Sequence, residues 1–267
     1  MSRYQRVACL STEAGETLYA LGAQDAIAGI SGYTVHPPEA RRDKPKISGF
    51  SSSKIERILA VEPDLAIGYS SLQADICRDL AAAGIEVHLF NQHDVMGIFH
   101  MIRVLAALLE RQEAGERLLA ELQARIDAAR MQAQRWAVRP KVYFEEWNEP
   151  LISGIGWVSD LIGMAGGDDV FGDLATHAHA KDRIIADPQD VVRRAPDIII
   201  GSWCGKKFRP EQLHQRPGWS SIPALQTGFV SEIKSPDILS PGPSAITHGL
   251  PQISALIERW HASQGRA

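Results

Sequence analysis

The chain has 267 residues, 45% hydrophobic and 22% charged, with a formal net charge of −4. That supplies apolar residues for one large or two small packed domains and excludes the basic footprint of a nucleic-acid binder. No apolar run reaches membrane-spanning length, and Cys9, Cys77 and Cys204 are too scattered for a disulfide frame or metal spacing.

In chain order, VACLS reads as a first strand, with Ser11 or Thr12 capping the helix EAGETLYALG that Gly22 ends. AIAGIS is a second strand. The stretch GYTVHPPEARRDKPKISGFSSS reads as a loop, its basic run Arg41, Arg42, Lys44 and Lys46 solvated among Pro37, Pro38 and Pro45. Lys54 to Val61 is predicted as a short helix and Asp64 to Tyr69 as a strand. Gln73 to Ala83 follows as a helix stopped by Gly84, and VHLFN as a strand. Asp94 caps a helix whose apolar face is Val95, Ile98, Phe99, Ile102, Leu105 and Leu109. The first strand begins within ten residues of Met1, with no charged start, apolar run and cleavage site before it. A cytoplasmic location follows if Met1 is the native start, and a periplasmic one if a leader was trimmed.

From Gln112 to Trp136 the residues Leu118, Leu122, Ile126, Ala129, Ala133 and Trp136 recur at helical spacing, with Glu113→Arg117 and Glu121→Arg125 on the opposite face. The predicted helix is roughly 37 Å long and reads as a strut between two lobes, the alternative being an ordinary surface helix of one domain. The expected division is an N-terminal lobe 1–111, a connecting helix 112–136 and a C-terminal lobe 137–267.

Past the helix the alternation restarts. KVYFEEW is a strand, WVSDLIGMAGG a helix and Pro188 to Arg194 a short helix. DIIIGSW and GFVSEI are strands, and Ala245 to Ala262 closes the chain as a helix. One phrase occurs twice, as SKIERILAVEPDLAIGYS and as PQDVVRRAPDIIIGSW: short helix, Pro-Asp, apolar strand, polar-aromatic end. The fold class is therefore α/β, two lobes with mostly parallel sheets joined by one long helix.

Ligands of parallel α/β sheets sit beyond the strand carboxyl ends, and those ends are aromatic here: Tyr33, Tyr69, Trp147 and Trp203. Phe50 and Trp157 fall in adjoining segments, and Ser70 adds a polar group beside Tyr69. Flat ring faces suit a large, rigid, partly apolar ligand, core packing being the alternative; Trp157 reads equally either way. Glu145, Glu146, Lys206 and Lys207 offer charges to orient amides or a phosphate, whereas Arg209 reads as solvated. SPDILSPGPS, with Pro236 to Pro243, reads as a stiff cleft wall or a surface turn. His177 and His179 lack a third ligand, and no phosphate loop, nucleophile elbow or paired-carboxylate unit is present.

Two lobes, one long helix and a repeated helix-Pro-Asp-strand phrase resemble the helical-backbone class of ABC-importer substrate-binding proteins. STEAGETLYALGAQDAIAGISGYTVHPPEARRDKPKISGFSSSKIERILAVEPDLAI is most similar to the cobalamin-binding members. The resemblance spans nearly the whole chain. It implies a monomeric, non-catalytic protein that captures cobalamin or a related corrinoid in a cleft between lobes and has an importer permease as partner. Phe50 and Tyr69 stand where those relatives carry tryptophans. One docking glutamate per lobe is implied: Glu56 matches the first, while Gln189, with Asp190 beside it, replaces the second. Two alternatives stay open. One is a ferric siderophore, haem or divalent metal as ligand on the same fold. The other is a cytoplasmic corrinoid-handling enzyme or factor using Glu145, Glu146, His248 or Cys204.

Overall fold

Two mostly parallel sheets organise the chain in a computed structural model that describes residues 3–265, so Met1, on which the location expectation turns, lies outside the described residues. Each sheet belongs to a compact unit. The first unit takes the described residues up to Gln92, Met96–Leu122 and Ser240–Ser244; the second takes His93–Val95, Gln123–Leu239 and the described residues from Ala245 onward.

In the first unit, strands β1 (Val7–Cys9), β2 (Ile27–Ser31), β3 (Lys46–Ser48), β4 (Leu65–Tyr69) and β5 (Glu86–Phe90) lie in the order β3-β2-β1-β4-β5, every neighbouring pair parallel. The central strands β1 and β4 are buried along their length, as a sheet covered on both faces requires. Ala8, Leu10, Ile47, Ile58, Ala66 and Leu80 share one core cluster. The stretch expected as a plain loop contains β3, because Ile47 and Ser48 find burial beside β2 despite the flanking proline. Ser11 occupies the N-cap position of helix Thr12–Ala20, but its side chain makes no capping hydrogen bond. Gly22 follows in the left-handed region.

In the second unit, β6 (Lys141–Asn148), β7 (Leu151–Ser153), β8 (Asp168–Asp169), β9 (Ile198–Gly201) and β10 (Val230–Glu232) form a sheet ordered β10-β9-β6-β7, with β8 also on β6. Only β6–β7 is antiparallel among these pairs. Its core contains Tyr143, Phe171, Ile199, Trp203, Phe208 and Trp219.

The repeated phrase has one structural job done twice. Helices Ile55–Leu59 and Gln189–Arg194 each lead to a non-glycine residue with positive φ, Glu62 (44°) and Ala195 (48°), directly before Pro-Asp. The aspartate carboxylate then accepts backbone N–H groups entering the neighbouring central strand. Asp64 takes those of Gln5 at 2.6 Å and Arg6 at 3.1 Å, and Asp197 takes that of Lys141 at 2.8 Å. Each aspartate N–H also donates to the same strand, to Arg6 and Lys141 respectively. The aspartate thus registers two parallel strands that share no hairpin.

The long helix runs Gln112–Ala133, shorter than expected, because its last turn tightens into i→i+3 bonds. Trp136 leaves the helix and stacks on His261 at 4.4 Å. The buried stripe is Gly115, Leu119, Leu122, Ile126 and Ala129, with Leu118 only half-buried. The boundary between units falls inside this helix, between Leu122 and Gln123. The closing helix runs Leu250–Ser263 behind a π-helical turn, Ala245–Gly249.

Ser240–Ser244 is not a plain surface turn. It packs into the first unit although its sequence neighbours belong to the second. Ser240 Oγ meets Thr12 Oγ1 at 2.9 Å, Gln92 Nε2 donates to the Pro241 carbonyl at 3.0 Å, and Ser244 Oγ donates to Glu16 Oε2 at 3.0 Å. A Cβ on Gly242 would stand 2.6 Å from that of Glu13, so only glycine permits this approach.

Candidate functional site

The carboxyl ends of β2, β3 and β4 carry the aromatic residues of the first unit. Tyr33 is 61% exposed and Phe50 38%, unusually open for rings of this size. Tyr69 is buried, its hydroxyl donating to the Gln92 carbonyl at 3.4 Å, so it shapes the site without presenting an open face. Ser70 sits at φ 63°, ψ 163°, a region nearly reserved for glycine, and its hydroxyl accepts from the Leu72 N–H.

The group that holds these ends together escaped the sequence reading. Gln73 is fully buried; its Nε2 donates to the carbonyls of Leu10 (3.0 Å) and Phe50 (2.7 Å), and its Oε1 accepts the Tyr69 N–H at 2.8 Å. One amide therefore ties β1, the Phe50 loop and β4. The nearest sequence signal is Gly68, where a Cβ would come within 3.0 Å of Gln73 Oε1.

Beside this end, Glu13 is buried at the start of helix Thr12–Ala20, and burial raises its carboxyl above the usual range. Among the described residues its Oε1 finds no hydrogen-bond partner. The Cys9 thiol is pushed up to about 12, first by burial and then by Glu13, which excludes a thiolate there.

In the second unit the expected rings separate. Trp147, at the end of β6, is half-buried, its indole N–H fixed by the Glu149 carbonyl at 2.8 Å. Trp203 is a correction: it is 1% exposed, edge-on to Phe208 at 5.0 Å, with its indole N–H donating to Glu145 Oε1 at 2.9 Å. Trp157 is corrected likewise, buried on helix Gly156–Met164 and donating to the Ile238 carbonyl at 2.8 Å. Indoles that fill core space and spend their N–H internally leave no face for a ligand.

The paired glutamates are structural in two different ways. Glu145 is fully buried and accepts from Tyr143, Trp203 and, through both oxygens, Arg216 at 2.6 and 2.9 Å. Such saturation is what permits a carboxyl group to be buried in a core. Glu146 is partly exposed and paired with the buried Arg183 at 2.6 Å. Neither is free for proton transfer, and Cys204 and His248 are exposed. His177 and His179 are exposed too, and among the described residues no three His, Cys, Asp or Glu side chains cluster as a metal set. Lys206 stands above Trp147 with its Nζ 5.3 Å from the ring centroid and 2.9 Å from Asn148 Oδ1. Asn148 was not singled out by sequence.

Of the expected docking acids, Glu56 is exposed on helix Ile55–Leu59 and pairs with nothing among the described residues. Gln189 instead donates to the Pro217 carbonyl at 2.7 Å, and Asp190 accepts from Arg193. No helix among the described residues is long and apolar enough to cross a membrane.

Against known proteins, residues 7–236 match the family described as periplasmic binding protein. The vitamin B12-binding protein of Vibrio campbellii is 27% identical over 203 residues, covering 74% of this chain and 70% of the relative. The periplasmic heme-binding protein RhuT of Roseiflexus superposes with TM-score 0.82 at 23% identity, covering 97% of this chain and 98% of the other. The periplasmic vitamin B12-binding protein of Vibrio cholerae superposes with TM-score 0.75 at 19% identity, covering 96% and 98%. These superpositions establish the two-lobe α/β fold.

Proposed function

This chain belongs to the periplasmic binding protein family, and from that premise we propose that it is a non-catalytic solute-binding protein whose ligand is cobalamin or a related corrinoid. The observation that carries the reading is the aromatic rings at strand carboxyl ends: the exposed Tyr33 and Phe50 in the first unit and, separately, the half-buried Trp147 in the second. A broad corrin macrocycle gains most from flat, rigid faces, each contributing on the order of 1–3 kcal/mol through burial. The relatives named for vitamin B12 support the same ligand. Ser70, held by Leu72, and the buried Tyr69 shape the end of β4 beside the open rings of the first unit. The long helix serves as connector between the lobes.

Docking to an importer permease falls first to Glu56, the exposed acid. The second lobe presents Gln189 and an Asp190 already paired with Arg193, so its electrostatic share is weaker. The family's periplasmic members favour a periplasmic location; fractionation of cells expressing the untagged native gene checks it, and recovery in the cytoplasm would reverse it. For the ligand, calorimetric titration of the purified chain with cyanocobalamin is decisive. Binding at or below micromolar concentration is expected. Its absence would discard the corrinoid reading.

A further inference from the structure

Lys206 lies in the turn after β9, exposed yet held in place. Its ammonium donates to Asn148 Oδ1 at 2.9 Å and stands 5.3 Å from the ring centroid of Trp147 and 5.2 Å from that of Trp203. The platform beneath it is rigid: Trp203 is buried, and Trp147 is anchored through its N–H to Glu149. Among the described residues no carboxylate lies within ion-pair distance of that ammonium. Arg183 is neutralised by Glu146, Arg216 by Glu145 and Lys234 by Glu232. Among the described residues Lys206 forms no ion pair, so an amide oxygen and two π faces position the charge without cancelling it. Lys207 and Arg209, exposed nearby in sequence, have no such contacts among the described residues.

We infer that Lys206 is the anion subsite of the proposed ligand site, and that the group it takes is the phosphodiester of a corrinoid's nucleotide loop. The inference rests on the corrinoid reading and deepens it, because it predicts which corrinoids are preferred. Of the groups around a corrin ring, the side-chain amides are neutral and the phosphodiester is anionic. A lysine already ordered on aromatic faces loses little further rotamer freedom on engaging a phosphate oxygen. Its ammonium is a compact charge suited to that oxygen. Being exposed, the contact is screened by salt and modest in size.

The test is calorimetric titration of wild type, Lys206→Gln and Lys206→Arg with cyanocobalamin and with dicyanocobinamide, which has the same ring but no phosphodiester. Lys206→Gln is expected to weaken cyanocobalamin binding about three- to tenfold and to leave cobinamide within about twofold. Lys206→Arg, which keeps the charge, restores most of the loss. The wild-type preference for cyanocobalamin shrinks as salt rises. Equal losses for both ligands, or none for cyanocobalamin, overturn the subsite while leaving the corrinoid reading standing. Failure of wild type to bind either ligand overturns both.

Discussion

An indole ring strengthens binding only through the face it leaves open, and on that ground Trp147 and Trp203 part company. Trp147→Ala is expected to weaken corrinoid binding by about tenfold with little change in unfolding midpoint. Trp203→Ala removes a core ring and one of the donors to the buried Glu145, so it should cost about 3–5 kcal/mol of stability. Denaturant unfolding alongside titration separates the two; a Trp203→Ala protein of unchanged stability but lost affinity would return that ring to the site. Glu13 yields a pH prediction. Burial raises its folded pKa above the ordinary 4.5, so the folded chain holds this proton longer than the unfolded chain does. Stability from this group therefore falls as pH climbs from about 4.5 through the higher folded value. Glu13→Gln should flatten that decline and leave the protein relatively more stable at pH 7. Asp160 and Asp169, also raised first by burial, remain in the variant as an internal reference. Unfolding midpoints from pH 4 to 8 check the sign, and an unchanged profile would acquit Glu13.

At the scale of an element, Gly201 shows how a strand end is built for its cover. A Cβ there would lie 2.0 Å from the Phe208 ring, which itself packs edge-on against Trp203. Gly201→Ala must displace a buried aromatic ring and should cost about 1–3 kcal/mol, read as a lower urea midpoint. Phe208→Leu in the same background should recover part of that loss, since it removes the atoms in the way. The repeated phrase belongs to this scale as well. Its helix, proline and strand were legible because each follows from local backbone preference. The use of Asp64 and Asp197 to receive N–H groups from a strand far away in sequence was not, because that pairing exists only once the sheet has formed.

For the whole molecule, ligand capture and the proposed docking are expected to separate. Glu56→Ala should bind cyanocobalamin as wild type does, because its carboxylate contacts nothing among the described residues. The same variant should support less corrinoid uptake in vesicles carrying the cognate permease, and equal uptake would remove Glu56 from the docking surface. Bound ligand should also raise the thermal midpoint, by the equivalent of about 2.7 kcal/mol at a hundredfold excess over Kd.

The sequence by itself determined the class of fold, the strand and helix alternation, the repeated phrase and the aromatic character of the strand ends. Period, caps, proline and glycine are local signals, and they carry that information without any long-range contact. Only the tertiary structure decided which rings stay open. Trp147 and Trp203 look alike as aromatic residues closing apolar strands, and Lys206 stands over both; the difference lies in what else packs on them: the Glu149 carbonyl at one, Phe208 and Glu145 at the other. The tertiary structure likewise recruited Gln73 as a tie between β1, β4 and the Phe50 loop and brought Ser240–Ser244 to the first unit. Burial is a property of neighbours, and neighbours distant in sequence leave no periodicity to read.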